Sequence, residues 1–294
     1  MGYQASLIMT FEYPIKKNIL TVLQENNLRP LKQLGQNFLI DKSMAQKIAG
    51  SLLIEPKENV LEIGPGLGAM TSIFLNHPIQ LTTIEIDRGI VSYLNQKKEQ
   101  SSFAAFWDLI HNDILLYDWE LLFSGETFKI LSNVPYSITG CLLIKILNHR
   151  DKIKSAVLLL QEEIIKKMIA PVNSKDYNRI SVYFGLLGDV SQVSKVPKEC
   201  FFPQPKVHSG VVHVTFNRSI SLIDESFFFT LVQSSFRQRR KTIANNLRGL
   251  VYQGQTWTDS SLKKAFEHVG LSPTDRPQNI SPTQYLSLAK TLKP

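Results

Sequence analysis

Five short apolar runs, spaced by amphipathic stretches, constrain this chain more than any other feature. They are Glu58 to Gly64 (ENVLEIG), IQLTTIEI at 79–86, a stretch near WDLIHND at 107–113, FKILSN at 128–133 and SAVLLLQ at 155–161. Runs this short, rich in Ile, Val and Leu, predict strands buried on both faces. Between them lie helical patterns: KSMAQKIAGSLL, which Asp41 is placed to cap, then ITGCLLIKILNH and QEEIIKKMIA. Repeated alternation of this kind predicts an α/β fold, a parallel sheet covered by helices, with ligands bound beyond the carboxyl ends of the strands. The texture changes near Asp189. VSQVSKV and SGVVHVTF predict a late β pair at an antiparallel edge, linked by the Pro-rich FFPQPK. After Arg218 the spacing is helical, without a strand signal, which predicts a small all-helical domain. The expected division is 1–218, with 1–31 as an N-terminal extension, and 219–294.

What the sequence lacks narrows the function. No stretch approaches the roughly eighteen apolar residues of a membrane-spanning helix, and ASLIM at 5–9 is too short for a signal peptide's apolar region. No membrane partner and a cytoplasmic location are expected. Cys141 and Cys200 stand in no zinc-binding spacing and read as reduced thiols, so no metal site is expected. The histidines include no H-E-x-x-H and no G-x-S-x-G occurs, which weakens hydrolase readings. Met1-Gly2 with Ser6 matches a myristoylation pattern too short to carry weight.

The chain carries 33 Lys and Arg against 25 Asp and Glu, and the imbalance is local. Residues 1–194 hold 19 of each sign, whereas 195–294 hold 14 basic and 6 acidic residues. Such asymmetry favours a polyanionic partner, because each cation placed near a phosphate releases condensed counterions. Its focus is Ser235 to Lys241, where Arg237, Arg239, Arg240 and Lys241 accompany Phe236. Read as one helical stretch, these residues suit a phosphate backbone; a solvated helix face is the equally weighted alternative.

Two motifs follow predicted strands. ENVLEIG runs into Gly64-Pro-Gly66-Leu-Gly68, a turn in which missing side chains let backbone amides approach a ligand. Gly64, Gly66 and Ala69 satisfy G-x-G-x-x-[GA], and Glu85 falls where a ribose-binding acid is expected. These residues alone fit a dinucleotide, as in a nicotinamide dehydrogenase, as well as S-adenosylmethionine. Asn133-Val134-Pro135-Tyr136, directly after FKILS, breaks the tie. An adenine amine is a poor nucleophile because its lone pair is delocalised into the ring. The Asn133 amide oxygen and Val134 carbonyl are suitable acceptors for its protons, Pro135 stiffens the turn and Tyr136 offers a stacking face. The blander alternative is an Asn-x-Pro turn with Tyr136 in the core. Phe201-Phe202-Pro203-Gln204-Pro205-Lys206 puts aromatics on a rigid loop, either a platform for an extruded base or a hydrophobic plug.

From about Lys32 onward the chain resembles the small-subunit ribosomal RNA adenine dimethyltransferases of the KsgA type. The resemblance rests on KQLGQNFLID (32–41), VLEIGPGLGAMT (60–71), TTIEIDR (82–88), HNDILLYD (111–118) and NVPYSIT (133–139). It continues through NSKDYNRISV (173–182), FFPQPKVHSGVV (201–212), FRQRRKTIANNL (236–247) and NISPTQY (279–285). It implies a Rossmann-like methyltransferase sheet, a small helical RNA-contacting domain and S-adenosylmethionine as cofactor. The implied reaction is dimethylation of two adjacent adenines in a 3′-terminal hairpin loop of small-subunit (16S-type) rRNA. The implied partner is a pre-30S-type particle in small-subunit maturation, with the enzyme a monomer. By resemblance Gln36, Asn37, Leu39, Gly64, Gly66, Glu85 and Asp113 contact the cofactor, and Asn133 contacts cofactor and target together. Tyr136 and Phe201 would sandwich the adenine; from chemistry and charge rather than resemblance, the Val134 carbonyl is expected to act there too, and Lys206 with Arg237, Arg239, Arg240 and Lys241 to hold RNA. Ser137-Ile138-Thr139-Gly140 departs from the family's usual N-I-S-T, and Val134 stands where Leu is common. The extension before Lys32 is long, with Met9 an alternative start. The competing expectations are a large-subunit adenine methyltransferase of the antibiotic-resistance type and a non-catalytic assembly factor.

Overall fold

The computed structural model describes residues 11, 13–100, 104–217, 220, 222 and 224–293; the ASLIM run, the Gly2 pattern, Met9 and Arg218 lie outside them. The apolar runs form strands β1 (Asn59–Ile63), β2 (Gln80–Glu85), β3 (Trp107–His111), β4 (Phe128–Asn133) and β5 (Ile153–Gln161). The late pair forms β6 (Gly188–Val196) and β7 (Ser209–Phe216). Together they make one seven-stranded sheet in the order β3-β2-β1-β4-β5-β7-β6. β1 to β5 pair in parallel, and β7 runs antiparallel to β5. The central strands are buried along nearly their whole length, as a sheet covered on both faces requires. Strand order reverses at β1, whose neighbours are β2 and β4, and a reversal of this kind opens a crevice at the carboxyl edge.

Local signals account for the element ends. The Asp41 carboxylate accepts from the Met44 N–H at 2.8 Å and starts the helix Lys42–Gly50. Asp87 accepts from the Gly89 and Ile90 amides and starts Arg88–Glu99 directly after β2. The extension contains a helix, Ile19–Glu25, that burial of Ile19 and Leu23 one turn apart stabilises.

The chain divides into two compact units, one of residues 1–162 with 191–216, the other of 163–190 with 217–294. The contiguous cut at 218 is therefore redrawn, since 163–190 joins the C-terminal residues. Its helix Arg179–Leu187 brings Tyr183 edge-on to Phe229 at 4.7 Å, and the Tyr177 hydroxyl donates to the Ile280 carbonyl at 2.8 Å. Helices Glu225–Ser235, Asp259–Val269 and Pro282–Thr291 complete the second unit. A short hairpin, Val251–Tyr252 against Gln255–Thr256, interrupts the otherwise helical C-terminal region.

Candidate active site

The motifs converge because parallel strands end at one edge. The glycine turn leaves β1, Glu85 ends β2, Asp113 follows β3 and Asn133 ends β4. Gln36, Asn37, Leu39, Gly64, Gly66, Glu85, Asp113, Asn133, Val134 and Tyr136 all line a single cavity of about 120 Å³. Gly64 and Gly66 have φ of 66° and 56°, the left-handed region. At Gly66 a Cβ would also crowd the Phe38 ring at 3.2 Å, so the positive φ and the close approach both favour glycine.

Glu85 ties the turn to β2. Its Oε2 accepts from the Gly66 N–H at 3.3 Å, while Oε1 accepts from the Ile86 and Asp87 amides, both at 2.9 Å. The residue is 5% exposed, and burial pushes its pKa up against the pull of those amides. Asp113 is half-buried, with Oδ1 accepting from the Leu115 N–H at 2.8 Å. Asn133 donates through Nδ2 to the Asn37 carbonyl at 2.9 Å. An amide nitrogen must do the donating, so this bond fixes Oδ1 as the acceptor left over. Val134 donates its N–H to the Leu159 carbonyl, and the turn that follows uses Pro135 O, which accepts from Ile138 N–H and the Thr139 hydroxyl. The Tyr136 hydroxyl meets Ser209 Oγ at 3.1 Å, leaving the ring half-buried.

Several expected residues also carry scaffold contacts or sit outside the cavity lining. Gln36 spends both ends of its amide on the scaffold, accepting from the Leu31 N–H at 2.8 Å and donating to Asp87 Oδ2 at 2.7 Å. Phe201 is 4% exposed and does not line the cavity; it pairs with Leu39, which does, in a two-residue ladder joining 38–39 to 201–202. Its neighbour Phe202 is the half-exposed ring of the pair. Residues 236–242 form a turn between Glu225–Ser235 and Ile243–Leu247, not a helical stretch. Arg237, Arg239, Arg240 and Lys241 are exposed on that turn, and Lys206 is exposed in the first unit. Sequence reasoning missed Ile86, which lines the cavity while 46% exposed. The sequence offered no signal for it beyond its place directly after Glu85. It also missed Pro14 and Ile19, which line the same cavity from the extension. Among the described residues no cluster of three metal-ligating side chains occurs, and no helix is long and apolar enough to cross a membrane.

Comparison with known proteins bears on the family and the fold. The profile of the family described as ribosomal RNA adenine dimethylase matches residues 27–293. A ribosomal RNA small subunit methyltransferase A from Malacoplasma penetrans is 31% identical over 273 residues, 93% of this chain and 96% of the relative. A dimethyladenosine transferase from Plasmodium falciparum superposes with a TM-score of 0.71 at 23% identity, covering 85% of this chain and 95% of that one. The 23S rRNA methyltransferase ErmE superposes with a TM-score of 0.61 at 24% identity, covering 88% and 100%. At those identities the two structures speak for the Rossmann-like fold; the profile and the sequence relative speak for descent. This chain is a methyltransferase and belongs to the ribosomal RNA adenine dimethylase family.

Proposed function

We propose that the chain uses S-adenosylmethionine to dimethylate the exocyclic amines of two adjacent adenines in a 3′-terminal hairpin loop of small-subunit rRNA. The work belongs to small-subunit maturation in the cytoplasm, with a pre-30S-type particle as partner and the enzyme acting as a monomer. The observation that carries this reading is the Asn133 amide, oriented by the Asn37 carbonyl at the same cavity that holds the glycine turn.

The donor set fits the cofactor. The Glu85 carboxylate suits a ribose diol and Asp113 an adenine amine, while Ile86 and Ile114 offer apolar faces to a purine. Gly64 leaves its turn open, since a Cβ there would meet nothing within 4 Å. Bound S-adenosylmethionine supplies an electrophilic sulfonium methyl. The protein's part is positioning. Asn133 Oδ1 and the Val134 carbonyl accept the two amine protons of the target adenine, which draws its lone pair out of the ring and stabilises charge developing on nitrogen. Once alkylated, the nitrogen is acidic and its proton leaves to water, so no ionised base is needed. Tyr136 provides the stacking face. Phe201 backs the Leu39 wall by pairing with it, and Lys206 with Arg237, Arg239, Arg240 and Lys241 grips the RNA backbone.

The test is transfer of labelled methyl groups from S-adenosylmethionine to purified, unmethylated ribosomal subunits, followed by mapping of the modified nucleotides. Four methyl groups on two neighbouring adenines of the small subunit are expected. Label confined to the large subunit would sink the small-subunit reading, and no transfer to either would leave the assembly-factor alternative standing.

A further inference from the structure

Residues 11 and 13–26 precede the family match, which begins at 27, yet Pro14 and Ile19 among them reach the candidate site. Three contacts fix the path of this segment. Phe11 stacks on Trp107 with ring centroids 6.0 Å apart and planes 13° from parallel. The same ring fills the notch above Gly68, where a Cβ would lie 2.3 Å from its Cζ. Just past its other end, Leu28 covers Gly89, where a Cβ would lie 2.9 Å from its Cδ2. Three residues further on, the Leu31 N–H is held by Gln36, itself bonded to Asp87. Between these anchors Pro14 and Ile19 are buried, and both line the cavity that contains Glu85.

We propose that Pro14 and Ile19 form a wall of the cofactor pocket contributed by the N-terminal segment, one that holds bound S-adenosylmethionine in place. The inference rests on the cofactor reading above. Neither side chain carries a polar group to recognise the ligand, so their contribution is apolar contact and exclusion of water. Excluding water from the surroundings of Glu85 strengthens its hydrogen bonds to a ribose, because charge–dipole attraction grows as the local dielectric falls. A wall held at both ends acts on escape more than on capture, so its loss shows in the dissociation rate.

Two measurements on the full chain test this. Ile19→Ala should raise the Kd for S-adenosylmethionine and for S-adenosylhomocysteine about fivefold by calorimetry, consistent with removing a few buried methylenes. The gain should lie in a faster off-rate by stopped-flow fluorescence. Leu20→Ala, on the same helix but 58% exposed, should leave both constants unchanged. The second measurement needs no variant and so survives any folding defect in Ile19→Ala. Saturating S-adenosylhomocysteine should slow hydrogen exchange across Ile19–Glu25 at least tenfold more than across Lys42–Gly50, whereas general stabilisation slows both helices alike. Equal slowing in the two helices, or an Ile19→Ala Kd equal to that of wild type, would overturn the proposal. A wild-type chain that binds neither compound would remove the cofactor reading and this inference with it.

Discussion

Asn133 lines the cavity and spends its amide nitrogen on the Asn37 carbonyl, which leaves its oxygen as the acceptor assigned to the target amine. Asn133→Ala removes both, and kcat for methyl transfer should fall about 10²- to 10³-fold, the usual cost of losing one group that stabilises developing charge. Single-turnover assays with saturating RNA isolate that step, and an unchanged rate would refute the assignment. Glu62, the penultimate residue of β1, carries a different load. It is fully buried, with Oε2 accepting from the Thr71 hydroxyl at 2.7 Å and Oε1 unpartnered among the described residues. Burial pushes its pKa up to about 7. A carboxyl raised above its ordinary value binds its proton more tightly when folded, so its contribution is intact below about pH 4.5 and is lost as pH rises through 7. Glu62→Gln should therefore raise Tm by roughly 3 °C or more at pH 8 and leave it nearly unchanged at pH 4.5. Thermal melts at the two pH values decide the point.

At the scale of elements, the basic turn at 236–242 is built around one side chain. Asn246, 7% exposed, donates through Nδ2 to the carbonyls of Gln238, Lys241 and Thr242, at 3.1, 3.3 and 3.1 Å. Its Oδ1 accepts from the Gln238 N–H at 2.9 Å. Asn246→Ala should cost about 2 kcal/mol in denaturant titrations, since backbone groups lose their partners. RNA affinity should weaken about tenfold because the turn's cations lose their fixed spacing. Cofactor affinity should not move, because the cavity belongs to the other unit. This capture also explains why FRQRRK was misread from its spacing: an amide eight residues on from Gln238 competes for the carbonyls a helix would use. The sheet was legible because buried parallel strands leave unbroken apolar runs, and the site was legible because its motifs follow those strands directly. The helix Ile19–Glu25 was not, since seven residues with two buried positions make too short a period to detect. Phe201 was legible only in part, for a related reason. Sequence shows that an aromatic stands beside a rigid proline loop, but its burial depends on pairing with Leu39, a partner more than 160 positions away in the chain.

For the whole molecule, the concentration of positive charge in residues 195–294 predicts how binding responds to salt. RNA affinity should fall linearly on a log–log plot. Replacing Arg239 and Arg240 together by Gln should flatten the slope by roughly 1.4 to 1.8, at about 0.7 to 0.9 per phosphate contact. Filter binding from low to moderate ionic strength measures it, and a slope equal to wild type would take these residues out of the interface. Arg239 also donates to the Lys175 carbonyl at 2.9 Å, so Arg240 is the cleaner single variant. The division of the chain bears on its synthesis. Because 163–190 belongs with 217–294, a nascent chain emits Tyr177 and Tyr183 well before Ile280 and Phe229 exist to cover them. Through that interval an oily stretch waits beside the exit tunnel, open to chaperones. A chain terminated prematurely near 217 never acquires the cover at all and is left prone to clump or be degraded.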